Sequence, residues 1–132
     1  MGVELRLVVP IPSPSLNELV GRGSWWRYQT AARTWRRLIG EAYYAARAAG
    51  GPAIWPDPPP AHVRIEIERY TSATLLDPDN FAGGVKPVLD GLKACRLIPD
   101  DSSAAIELVL RQHRTHGAAT VIRLVAAPQG EG

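Results

Sequence analysis

Residues 77 to 80, Asp-Pro-Asp-Asn, put two carboxylates on alternate residues with an amide directly after them. In an extended segment side chains repeat every two residues, so Asp77 and Asp79 would point to one side. Pro78 disfavours a helical Asp77 and supports that reading. Two carboxylates held close repel each other unless a cation lies between them. Mg²⁺ suits such a place, because it takes hard oxygen ligands, commonly one or two carboxylates completed by water and substrate phosphates. Taken alone the stretch reads as a turn, since Asp, Pro and Asn are frequent turn formers. It is not an EF-hand, because Phe81 and Ala82 stand where that loop needs a ligand and a glycine.

A second acidic pair, Asp100-Asp101, shifts the balance toward a site. The two pairs flank one helical stretch of about nine residues, which spans only about 14 Å, so their loops can bring them together. Asp90 lies four residues from Lys86 and reads as a helix-surface ion pair. Lys86 near carboxylates and a metal could contact a phosphate oxygen as a point charge.

The opposite chemistry lies upstream. Trp25, Trp26, Arg27, Tyr28, Arg33, Arg36 and Arg37 mix aromatic rings with guanidinium groups, which bind phosphates and stack on unpaired bases. Residues 1–50 hold seven arginines and three glutamates, a balance of +4, whereas residues 51–101 hold five basic and eight acidic residues, a balance of −3. Such asymmetry suits a protein that grips a polyanion with one part and a cation with another; scattered solvation charge would look the same. His62, His113 and His116 have no metal-ligand spacing, and the last two extend a basic hairpin with Arg111 and Arg114. No P-loop and no G-x-S-x-G motif is present.

The elements that must position these groups are legible from periodicity. "VELRLVV" over 3–9 predicts a strand, ended by Pro10, Pro12 and Pro14. Residues 13–28 lack a clean period and read as a loop. A helix is expected from a Thr30 cap to about Ala49, with Trp35, Leu38, Ile39, Ala42 and Ala46 as its apolar stripe and Gly50-Gly51 as its stop. Residues 50–60 form a proline-rich connection. "HVRIEIERY" over 62–70 alternates, with Val63, Ile65 and Ile67 facing a core and Arg64, Glu66 and Glu68 a wetter side. A second helix runs from about Val85 to Lys93, with Pro87 tolerated in its first turn. Residues 105–114 and 120–126 read as strands joined near Gly117, and the tail at 128–132 as disordered. The expectation is one domain over 1–127, of α+β or mixed α/β class, with a single four-stranded mixed sheet and two main helices.

The lone Cys95 excludes an internal disulfide and a multi-cysteine zinc site and points to a reducing cytoplasm. No segment reads as a signal peptide or membrane span, so a soluble, cytoplasmic protein is expected.

At "DPDN…K…LDGL…PDD" the sequence resembles the RusA family of Holliday junction resolvases, which are small dimeric Mg²⁺-dependent endonucleases. Asp77, Asp79 and Asn80 match the first element, Lys86 the lysine, Asp90-Gly91-Leu92 the helix end and Asp100-Asp101 the last. "PSPSLNELV" is similar to the family's proline-then-asparagine segment, with Asn17 as the asparagine. The resemblance implies catalytic roles for Asp77, Asp79, Asp101 and Lys86, with Mg²⁺, or Mn²⁺ in its place, held by Asp77, Asp79, Asp100 and Asp101. It implies a homodimer on branched DNA, and the residues expected to grip that DNA are Asn17 of the resembling segment and, from the basic patterning, Arg27, Arg33, Arg36, Arg37, Arg111 and Arg114. One departure is evident: the family lysine follows the asparagine by about three residues, whereas Asn80 and Lys86 are six apart, with "AGG" inserted. A bulge at Gly83-Gly84 would absorb the insertion. The alternatives are a non-catalytic binder of branched or single-stranded DNA and a small phosphohydrolase, which would need a deep pocket at the aspartates.

Overall fold

Alternating apolar residues gather four strands into one sheet in the computed structural model, which describes residues 3–49 and 55–126. In chain order the elements are β1 (Glu4–Val9), α1 (Leu16–Leu19), α2 (Ser24–Ala48), β2 (Val63–Thr71), α3 (Pro78–Gly84), α4 (Lys86–Ala94), β3 (Ile106–Arg114) and β4 (Ala119–Ala126). The strand order is β1-β4-β2-β3, with β2 antiparallel to β4, parallel to β3, and β4 antiparallel to β1. This is the expected α+β fold on one mixed four-stranded sheet. Among the described residues no helix is long and apolar enough to cross a membrane.

Leu5, Leu7 and Val9 of β1, Ile65 and Ile67 of β2, and Ile122 and Leu124 of β4 share one face of the sheet. Trp35 and Ile39 of α2 and Val88, Leu89 and Leu92 of α4 pack onto that face in a single core. The opposite face aligns Arg6, Arg123, Glu66 and Val109 across the four strands. On it Glu66 is 9% exposed, lying within 3.2 Å of Arg64 and of Arg123 and 3.7 Å of Arg111. The wetter face therefore hides one glutamate beneath three arginines, which supply the charge a buried carboxylate requires.

Four expectations change. Residues 13–28 are not one loop, because Ser15 caps the one-turn α1 through its side chain and α2 starts at Ser24 rather than after Thr30. Gly23 precedes α2 at φ +75°, a backbone conformation glycine reaches without strain. A separate helix, α3, occupies the stretch expected to be extended. Finally, β3 and β4 are not a hairpin: each pairs with β2 on its own side, since Gly117 lies in a connection that crosses over that central strand. The expected helix stop at Gly50-Gly51, the first part of the proline-rich connection and the 128–132 tail lie outside the described residues.

Candidate functional site

Asp77 and Asp79 begin α3. Asp77 is its extended N-cap residue, at φ −66° and ψ 160°, and Asn80 N–H donates to Asp77 Oδ1 at 2.9 Å. Pro78 takes the first helical position, where its missing N–H costs nothing, and Asp79 stands in the first turn, where the helix dipole favours an anion. These preferences outweigh the extended pairing expected from alternation. One oxygen of Asp77 is thereby committed to the backbone, while Asp79 remains exposed.

Asn80 ties this turn to the N-terminal segment, because Asn17 N–H donates to Asn80 Oδ1 at 2.9 Å. The two asparagines singled out in the sequence thus meet across 63 residues. The "AGG" insertion is accommodated differently from the expected bulge. Neither Gly83 nor Gly84 has a positive φ; instead they complete α3 and let it lie against the proline segment. A Cβ on Gly84 would fall 1.8 Å from the Pro14 carbonyl oxygen, so only glycine fits there. Lys86 then opens α4 as a new helix.

A second group assembles where α2 crosses α4. The Tyr28 hydroxyl donates a hydrogen bond to Asp90 Oδ2. Lys86 Nζ lies 3.7 Å from Asp90 Oδ1 and 5.8 Å from the centre of the Tyr28 ring. Burial pushes the Tyr28 phenol well above its ordinary value, and the Asp90 and Asp101 charges push it the same way. Lys86 and Asp90 therefore meet at one phenol. Asp100 turns elsewhere. Asp101 N–H donates to Asp100 Oδ1 at 2.8 Å, Lys93 Nζ lies 3.5 Å away, and the backbone bond leads these contacts in holding the Asp100 carboxyl below its usual range.

Among the described residues, no three His, Cys, Asp or Glu side chains stand close enough together to hold an ion. The aspartates nonetheless have the donor chemistry for Mg²⁺, and one or two carboxylates suffice when water and substrate phosphates complete the shell.

The basic residues divide into two sets. Arg33, Arg36 and Arg37 are exposed along α2, with Arg37 3.1 Å from Glu41. Arg27 donates to the Val20 carbonyl at 3.1 Å. Arg111 points from the opposite sheet face toward Glu66, so the structure does not bring it to the α2 arginines. Arg114 ends β3 beside Ser72 and His116. Periodicity missed Tyr28 as a partner of Asp90 because the helix was expected to begin after Thr30. The available signal was its place seven residues before Trp35, on the same apolar stripe.

A cavity of about 450 Å³ lies beside α2 and is lined by none of Asp77, Asp79, Asp100 and Asp101. No family model matches the chain, and no curated protein matches it in sequence.

Proposed function

We propose that the protein is a metal-dependent endonuclease that cuts branched DNA, four-way junctions above all, as a homodimer in the cytoplasm. The reading rests on one observation: a helix carrying exposed arginines contacts α4 through Tyr28 and Asp90, beside Lys86, on the helix that lies between the two aspartate pairs in the chain. Arg33, Arg36 and Arg37 neutralise backbone phosphates without reading sequence. Asp79, Asp101 and the uncommitted oxygen of Asp77 supply oxygen donors, while Asp100 serves as the neighbour that fixes the Asp101 backbone. Lys86, oriented by Asp90, places a positive charge where a phosphate oxygen would lie. Mg²⁺, or Mn²⁺, would lower the pKa of a bound water and stabilise charge on the scissile phosphate. Two opposed strands cut symmetrically call for two sites related by a two-fold axis, hence the dimer.

The lack of a three-carboxylate group among the described residues favours one second reading, a branched-DNA binder without cleavage. The test incubates the protein with a synthetic four-way junction and Mg²⁺ beside Asp79→Asn and Asp101→Asn. Cutting by the wild type alone supports the nuclease. Salt-sensitive binding with no cutting in Mg²⁺ or Mn²⁺ selects the binder, and equal cutting by all three proteins removes the aspartates from catalysis.

A further inference from the structure

Trp25 and Trp26, at the start of α2, are 61% and 67% exposed, an unusual placement for the two largest apolar side chains in the segment. Their rings meet edge to face with centroids 4.6 Å apart, which gives the pair a fixed shape. Trp26 forms one wall of the 450 Å³ cavity. Pro12, Pro14, Leu19 and the buried Trp35 supply further apolar lining, and Thr30, Thr34, Glu18 and Arg27 contribute polar groups. An apolar cavity of this size with a few polar groups is the usual form of a small-ligand site.

We infer that this cavity takes one unpaired nucleobase from a DNA strand lying across α2. The charge of the helix identifies the occupant. Residues 24–48 contain five arginines and one glutamate, a balance of +4, so the strand drawn to this surface is a polyanion. Phosphates bind the exposed arginines, Arg27 at the cavity among them, while the apolar, aromatic wall accepts a base, whose flat face stacks on indole. The Glu18 carboxylate strengthens that division: it repels phosphate and accepts from an exocyclic amine, which favours amino-bearing bases over thymine. The single turn of α1 joins the cavity to the acidic group. Glu18 and Leu19 line the cavity, while Asn17 is bonded to Asn80 of α3. A base seated there would anchor its strand on the same turn that is bonded to α3, the helix that bears Asp79.

This inference rests on the DNA-binding part of the proposed function, and its test separates the two. A single-stranded oligonucleotide carrying one 2-aminopurine is titrated into the full chain in EDTA, which prevents cutting. Anisotropy reads affinity, and 2-aminopurine fluorescence reads stacking on indole. Wild type should bind and quench the base. Trp26→Ala should weaken binding about tenfold and abolish quenching, leaving the salt dependence unchanged. Arg33→Ala should keep the quenching and lower the salt slope by about one. Trp26 is mostly exposed, so circular dichroism should show an unchanged fold. Binding without quenching, or quenching that survives Trp26→Ala, overturns the base pocket and leaves DNA binding standing. No binding to any single-stranded or branched DNA overturns both.

Discussion

The hydroxyl of Tyr28 on α2 donates a hydrogen bond to the Asp90 carboxylate on α4, so a polar contact joins the arginine-bearing helix to α4 beside their shared core. Tyr28→Phe should keep the ring near Lys86 and lose only this bond, at a cost of about 1 kcal/mol measured by urea denaturation. The phenol's folded pKa is raised, chiefly by burial. Its contribution is therefore fully present below the ordinary tyrosine value of about 10 and is lost as pH rises through the folded value. Tyr28→Phe should accordingly remove tyrosinate absorbance only from the late part of an alkaline titration.

The glycines of α3 and α4 should differ sharply in tolerance. Gly84→Ala would drive a methyl into the Pro14 backbone, and a loss of about 3 kcal/mol is expected. Gly83→Ala meets only the Leu16 side chain, at 2.9 Å, and should cost about 1 kcal/mol as that side chain moves. Gly91→Ala meets Ile39 Cδ1 at 2.8 Å and the Arg36 backbone nitrogen at 3.2 Å, so it should fall between them. Denaturation midpoints order the three.

Two exposed carboxylates make stability acid-sensitive. The Arg123 hydrogen bond holds the Glu4 carboxyl below its ordinary value, as the Asp101 backbone does most strongly for Asp100. A depressed folded pKa stabilises the fold above the unfolded value and loses that effect as pH falls through the folded value. Glu4→Gln and Asp100→Asn should each lower the urea midpoint slightly at neutral pH. The difference from wild type should vanish as pH falls through the lowered folded values of these carboxyls, and added salt should shrink it, since exposed pairs are screened.

Ser13 presents the reverse case. Its hydroxyl is fully buried without a partner among the described residues, beside Arg69, whose Nε donates to the Ser13 carbonyl at 2.7 Å. Ser13→Ala removes the unsatisfied group and keeps the carbonyl, so stability should rise by up to about 1 kcal/mol. A fall of that size would show that the hydroxyl has a partner in solution.

On the DNA-binding reading, the arginines on the outer side of α2 set the salt dependence. The pair Arg33→Ala and Arg37→Ala should reduce the slope of log K against log salt by about two for duplex arms. Arg111→Ala should leave it unchanged, because Arg111 lies across the sheet beside Glu66.

Much of the scaffold was legible because its signals are local. Alternation at Val63, Ile65 and Ile67 marks β2, and the Trp35, Ile39, Ala42 and Ala46 spacing marks α2, since each pattern reports one face turned to a common core. Local signals competed at Asp77-Pro78-Asp79, where alternation suggested a strand and the proline and aspartates form a capped helix start. The parallel pairing of β2 with β3 was not legible, because pairing depends on partners some 40 residues apart.

The sequence by itself determined the chemical inventory: a basic aromatic segment, two acidic pairs, two lysines between them and a proline-asparagine run. Tertiary structure decided which members meet. Asn17 reaches Asn80 because α1 and the segment before it pack on α3, closest at Gly84, where a side chain would strike the Pro14 backbone. Tyr28 reaches Asp90 because α2 begins two turns earlier than expected and crosses α4 there. Asp100 is drawn to Lys93 and Arg111 to Glu66, away from the groups they adjoin in composition. The physical reason is common to all four: residue type sets what a group can bind, whereas the packing of distant elements sets what lies within a few ångströms of it.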